Sequence, residues 1–530
     1  MHYERRDFWR NRPLIALTVG LPVAEAVVLL LLDIPSGFSV APQVTAVGPF
    51  GAFHDLRWLF VFHGSILSFA LGLATLVVLR SLLTALVVLA AWPSGVERPS
   101  LGVALVRSAV VTFAAVVLLS PWVTLLFGAA VVPLSWVFFA AVPPAIATIL
   151  LIHHGGIDGE WWRRLPPLRS AGWAGLTFVV LSLAALSVAG RSDPSVFLII
   201  AAVGVFNAWV WHHSVRTIVL GLPARRRRMV PVTAVVIVAM LVVVVGGTRL
   251  GFAAFASEDP GGEAQIEADK GGPTVLLVAG FASGCCEEAA DLAAAGPEMT
   301  VEQFSYVGID DQGRPVAHPG MATDADIADL AVLMNAQVAA LAQRHGEPVA
   351  IVAESEGALV TIAFLNRYPD SSVDRLVLLS PIVEPGRVTY PDWGEEGRGV
   401  VAGYQLRAMA ALIDSLAPIE LSADGPFTDS LRRDAEELAR ALYDWPGMEE
   451  VVILPLADAV TNPSDLEYGD VEVVVVPGFH GGLRGRQDVQ EMIATWVQGG
   501  DIPSSEVWLM LERIITGTAS AWQVPGLESF

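Results

Sequence analysis

Cysteine is almost missing from this sequence: in 530 residues it occurs only as the adjacent pair Cys285-Cys286. That excludes a disulfide framework and a cysteine-rich metal site. Lysine is scarcer still, with Lys270 alone. Charge of either sign is thin, at 16% of residues, against about 25% in ordinary soluble domains. A single water-soluble globule is therefore a poor description of the chain. The little charge there is divides unevenly. Residues 1–250 carry 18 Arg against 9 acids, and residues 251–530 carry 14 Lys and Arg against 45 acids. The net charge of −22 is thus +9 in the first part and −31 in the second. So acidic a second part repels phosphates, which argues against nucleic acid as a partner.

A helix crossing a bilayer takes about 20 apolar residues. Segments near that length recur at 14–32, 58–79, 106–127, 131–152, 172–190, 196–219 and 230–248. They predict an all-α transmembrane bundle of about seven spans within residues 1–255. Residues 81–92 are apolar as well, and either extend the second span or add an interfacial turn. Arg5, Arg6, Arg10 and Arg12, then Arg163, Arg164 and Arg169, then Arg225 to Arg228 all fall on one side of seven spans. The excess of positive charge makes that side cytoplasmic, with the N-terminus on it, and an odd span count puts the acidic part outside the cytoplasm. Glu25, Arg80, Arg107 and Arg216 are the ionisable residues within spans. They are too few to mark an ion pathway, so the bundle reads as an anchor or platform. The pairs His153-His154 and His212-His213 sit near predicted cytoplasmic span ends. Neighbours on one helix point about 100° apart, so interfacial histidines are a better reading than a metal site.

Residues 256–273 are polar and Gly-rich, as a linker would be. Beyond them, Thr274–Ala279, Val301–Tyr306, Val349–Val352, Leu376–Leu379, Val451–Leu456 and Glu472–Val476 read as strands. The most apolar of these lack polar alternation, as strands buried on both faces of a parallel sheet do. Helical spacing over 325–344, 358–367 and 489–497 between and after them predicts a doubly wound, mostly parallel sheet over residues 274–500. The connection 383–447 is too long for a simple crossover and holds two helical stretches, 401–416 and 428–443. It reads as a helical cap insertion over a site at the carboxyl edge of the sheet. Residues 501–530 remain as a C-terminal helix and tail.

The chemistry is carried by Ala353-Glu354-Ser355-Glu356-Gly357, which follows a predicted strand and precedes a predicted helix. That is the setting of the nucleophile elbow G-x-S-x-G, with Ala353 in place of the first glycine. A serine nucleophile needs a base, and the base needs an acid to hold its tautomer. The second part has three histidines, His318, His345 and His480, of which His480 follows the last strand in a glycine loop. Asp458 ends the fifth strand, so Ser355, Asp458 and His480 stand at strand ends in the order Ser, Asp, His; Asp465 and Glu384 are substitute acids.

On these residues, the region from about 272 to 500 resembles the serine hydrolases of the α/β-hydrolase superfamily, fused here to a polytopic membrane domain. The resemblance implies an oxyanion hole from the backbone N–H groups of Glu356 and Phe281, with Ala282 as the alternative second donor. It implies no metal and no organic cofactor. Glu354 and Glu356 flank the serine, so their side chains should point away from it or one should be protonated. Cys285-Cys286, in the loop on the oxyanion side, is left open between a vicinal disulfide and two thiols. The expected protein is a membrane-anchored, extracytoplasmic serine esterase of the lipase type, cleaving lipid or cell-envelope esters through an acyl-serine. Its partners would be the bilayer and a small-molecule or lipid ester. Acyl transfer by the same acyl-serine, peptide cleavage, and a non-catalytic sensor or transporter are the alternatives.

Overall fold

The computed structural model of the protein describes residues 11–128, 156–159, 167–188, 191, 193–221, 272–286, 299–382, 390–416, 422–440, 445, 447–456, 471–478, 480, 482–519 and 521–522. In the first part these form α1 (Arg12–Leu31), α2 (Pro49–Val61), α3 (Ile66–Ala90), α4 (Leu101–Gly128), α5 (Leu168–Val188) and α6 (Ser195–Gly221). Four of them, α1, α3, α4 and α6, are long and apolar enough to cross a membrane, and α5 carries a shorter apolar stretch, Gly172–Val188. The expected spans 131–152 and 230–248, like the linker 256–273, lie outside the described residues.

The expected span 58–79 is not one helix. Residues 58–61 close α2, and α3 starts afresh at Ile66 behind Ser65, whose hydroxyl accepts from Ser68 N in a capping box. The apolar run continues across this break, so hydropathy alone misses it, whereas the local Gly64-Ser65 chemistry restarts the ladder. Of residues 81–92, expected as an extension or a separate turn, 81–90 are the final turns of α3.

Ahead of α2 the chain turns back into the bundle through two 3-10 turns, Pro35–Ser39 and Ala41–Thr45. Thr45 Oγ1 donates to Thr18 O of α1 at 3.1 Å, and Trp211 Nε1 of α6 donates to Thr45 O at 2.9 Å. Arg80 Nη1 of α3 donates to Val44 O, at a point roughly 20 Å along α3 from its start. The segment 35–61 is thus a re-entrant hairpin of the bundle, with backbone carbonyls partnered by side chains of the surrounding helices. It brings His54 between two carboxylates: Nε2 lies 2.7 Å from Glu25 Oε1 and Nδ1 lies 2.9 Å from Asp55 Oδ1. Asp55 is in turn held by Arg80, whose Nε donates to Oδ2 at 2.6 Å. Tight helix packing surrounds the hairpin; a Cβ at Gly204 of α6 would fall 2.5 Å from Thr18 O of α1.

In the second part, six strands, β1 (Thr274–Val278), β2 (Thr300–Gln303), β3 (Val349–Glu354), β4 (Val373–Leu379), β5 (Glu449–Pro455) and β6 (Glu472–Val476), pair in parallel in the order β2-β1-β3-β4-β5-β6. Five helices accompany them: α7 (Ile327–His345), α8 (Glu356–Arg367), α9 (Val400–Leu416), α10 (Pro426–Arg440) and α11 (Gln487–Val497). A last helix, α12 (Glu506–Ala519), follows. Leu276, Ile351, Leu376 and Val452 face a core shared with α7 and α8. Val275, Ala350, Val377 and Val451 face one shared with α11. Burial on both faces is why the strands read as unbroken apolar runs. The strand order reverses between β1 and β3, and the crevice at their carboxyl ends is where such sheets bind ligands.

The two parts touch through α9. His63 Nε2, between α2 and α3, accepts from Val401 N at 3.1 Å, Arg398 Nε donates to Val61 O at 3.3 Å, and Gln405 Nε2 donates to Ser120 Oγ of α4 at 2.8 Å. These contacts all lie at one end of the bundle. Arg12 opens α1 and Arg98 follows α3 at the other end, where Asn11 Nδ2 donates to Ala90 O.

Candidate active site

Ser355 alone makes the turn from β3 to α8, with φ 58° and ψ −114°. That left-handed backbone costs about 1–3 kcal/mol for a non-glycine residue and is met at sites where function requires it. Ser355 N donating to Leu379 O at 3.0 Å and Ala358 N donating to Ser355 O at 3.1 Å hold it. At Gly357 a Cβ would lie 2.6 Å from Val278 O and 2.8 Å from Ala279 O, both backbone, so only glycine fits. Ala353 is fully buried in β3, where its methyl packs into the sheet core instead of a first glycine.

His480 Nε2 lies 3.0 Å from Ser355 Oγ, with both residues buried. The histidine stands in the loop after β6, and that loop is fixed by Glu354. Its Oε1 accepts from Leu483 N at 2.9 Å. Glu354 is thereby tied to the loop that carries His480, a contact that residue order alone did not reveal. Asp458, like Asp465 and Glu384, lies outside the described residues. Of the other two histidines, His345 ends α7. His318 accepts from Tyr306 N at 3.1 Å through Nε2.

The loop after β1 faces the serine. Ala282 N donates to Thr323 Oγ1 at 2.9 Å and is thereby committed. The N–H groups of Phe281 and Glu356 have no hydrogen-bond partner among the described residues. Tyr306 Oη donates to Ala279 O at 2.6 Å, bracing the start of this loop. Cys285 and Cys286 are joined as a vicinal disulfide, and Cys285 N donates to His318 O at 3.0 Å. Among the described residues no group of three or more His, Cys, Asp or Glu could hold a metal ion.

The Glu356 side chain is buried, and neither carboxyl oxygen has a partner among the described residues. Burial, and secondarily the charge of Asp324, raise its pKa well above the ordinary 4.5. The unfolded chain releases this proton near 4.5, so folding stability from this group is full below that value and falls as pH rises above it. Glu356→Gln removes the titration. Its denaturant midpoint relative to wild type should rise steadily from acid to mildly alkaline buffer, and parallel curves would refute the assignment.

Residues 274–444 match the family model described as serine aminopeptidase, S33. The matched region lies in the C-terminal half, whose parallel sheet and flanking helices are consistent with an α/β-hydrolase fold. Solved structures similar to the chain include phospholipase PlaB from Legionella pneumophila, 12% identical, covering 47% of this chain and 63% of that one, with a TM-score of 0.29. An esterase from Exiguobacterium antarcticum is 12% identical over 43% of this chain and 93% of its own, with a TM-score of 0.26. Aspergillus fumigatus lipase B is 13% identical over 73% and 96%, with a TM-score of 0.28. No curated protein matches the chain. Likeness at this level carries nothing about the hydrolase domain's substrate, which must be argued from its own residues.

Proposed function

We propose that the protein is a membrane-anchored serine hydrolase that cleaves carboxylic esters of lipids or the cell envelope. The observation that carries this reading is the 3.0 Å contact of His480 Nε2 with Ser355 Oγ on a left-handed strand-to-helix turn. Ser355 Oγ attacks the ester carbonyl while His480 takes its proton, and the imidazolium returns that proton to the leaving alcohol. Water, deprotonated by the same imidazole, then hydrolyses the acyl-serine. Asp458 is assigned to the far ring nitrogen, holding the tautomer and stabilising the charged ring. The N–H groups of Glu356 and Phe281 take the oxyanion, each worth about 3 kcal/mol in comparable sites.

Two further observations support a lipid or envelope substrate. The connection between β4 and β5 acts as the cap, with Phe427, Leu431 and Leu438 of α10 packed beside Phe281, Leu359 and Ile382. Its other helix, α9, rests on the bundle end away from Arg12 and Arg98. By the positive-inside rule, the domain then stands on the extracytoplasmic face, with its cap against the membrane.

Full-length protein in lipid nanodiscs should release p-nitrophenol from p-nitrophenyl esters, and long-chain acyl esters should be turned over faster than acetate. Acid as the sole acyl product supports hydrolysis, whereas acyl transfer to an added alcohol would replace it. Folded wild type without turnover of any ester would overturn the proposal.

A further inference from the structure

The last described residues return to the membrane part of the molecule. α12 begins on the hydrolase domain, where Trp508 and Leu509 pack against its sheet core. It ends on α5, with Gly517 lying against Leu186. Beyond it, Trp522 stacks on Phe178 of α5 with ring centroids 4.6 Å apart, and its indole N–H donates to Ser182 Oγ at 2.8 Å. Ser182 is six residues before the end of α5 at Val188, roughly 9 Å down the helix. The Ala521 carbonyl goes deeper into polar company: Arg57 Nη1 of the re-entrant hairpin donates to it at 2.8 Å, and Gln43 Nε2 is a second donor to it. Residues 521–522 are therefore inserted among bundle helices.

The opposite face of α12 is apolar and exposed among the described residues. Val507, Met510 and Ile514 are 60%, 55% and 38% exposed, and their spacing puts them on one stripe. Neighbouring α5 presents Val179 and Leu183, at 49% and 51% exposure, within its apolar stretch Gly172–Val188. α12 packs against α5, so these exposed apolar residues lie on two neighbouring helices. Arg513 flanks the α12 stripe, where a long cationic side chain can reach headgroups while its stem stays in hydrocarbon.

We infer that α12 is a second membrane attachment, its Val507-Met510-Ile514 face immersed in the lipid leaflet on which the hydrolase domain stands. The hydrolase domain is then fixed at both ends of its sequence: by the chain entering it from the bundle, and by a helix that carries the tail back into the bundle. This inference rests on the bundle spanning the bilayer and is independent of the catalytic reading.

The test uses full-length protein in nanodiscs, with single cysteines introduced at Met510, Ile514, Val179 and the exposed loop residue Gln312, each labelled with a fluorophore. Doxyl-labelled phosphatidylcholine and aqueous iodide serve as quenchers. Labels at Met510→Cys and Ile514→Cys should be quenched by doxyl lipid as at Val179→Cys and shielded from iodide, with the reverse at Gln312→Cys. Iodide quenching at 510 and 514 equal to that at 312 would overturn the inference. Quenching by neither agent would also overturn it, and would put protein, such as a second copy of the chain, on the stripe. Loss of lipid quenching at Val179→Cys would instead remove the premise that the bundle spans the bilayer.

Discussion

Alanine in place of either Ser355 or His480 should lower kcat/KM for an ester by about 10⁶-fold, and the double variant should be no slower than the worse single one. The expectation follows from the shared proton. With His480 Nε2 3.0 Å from Ser355 Oγ, the hydroxyl loses its base when the ring is removed, and the ring has no proton to move when the hydroxyl is removed. The residual rate is what binding and the two N–H donors supply. Circular dichroism and thermal unfolding of the variants should match wild type, since neither side chain anchors the turn; its backbone bonds to Leu379 and Ala358 do. Multiplicative losses in the double variant would mean the two residues act separately, and the acyl-serine mechanism would fail.

The second large effect concerns the bundle. Arg80→Ala should destabilise the protein by about 3–5 kcal/mol, because it removes one partner of a buried ion pair and leaves the other uncompensated. Asp55 would keep its charge against His54 without the guanidinium that holds both its oxygens, and Val44 O would lose its donor. Arg80→Lys should recover only part of the loss, since an ammonium cannot replace the two-pronged contact while also reaching Val44. Tryptophan fluorescence during thermal unfolding in detergent reads this directly. An unchanged midpoint in Arg80→Ala would show that the re-entrant hairpin is held by packing alone.

These two regions differ in how far the sequence alone revealed them. The strands were readable because burial on both faces leaves unbroken apolar runs such as Thr274–Val278 and Glu472–Val476. Ser355 was readable because a tight turn restricts the residues around it to small ones, and His480 because chain order narrows the choice. The contact that unites them spans 125 positions, which residue order can propose but not measure. The tie of Glu354 to the histidine loop was not readable, because its partner, Leu483 N, is a backbone group on a distant loop. In the membrane part, hydropathy reads residue types and not partners. Glu25 and Arg80 looked like isolated charges in an anchor, and His54 and Asp55, which join them, fell in what read as a loop. The insertion of Trp522 beside Phe178 was equally invisible, since nothing local in the tail marks its seat.

The central claim is that Ser355 is an activated nucleophile, and one reaction tests it most directly. Full-length protein in nanodiscs is treated with a fluorophosphonate, digested, and its peptides are weighed. The account predicts a single phosphonyl adduct on the peptide containing Ser355, absent from Ser355→Ala and strongly slowed in His480→Ala. Folded wild type that remains unlabelled, or an adduct on another residue that persists in Ser355→Ala, would contradict it.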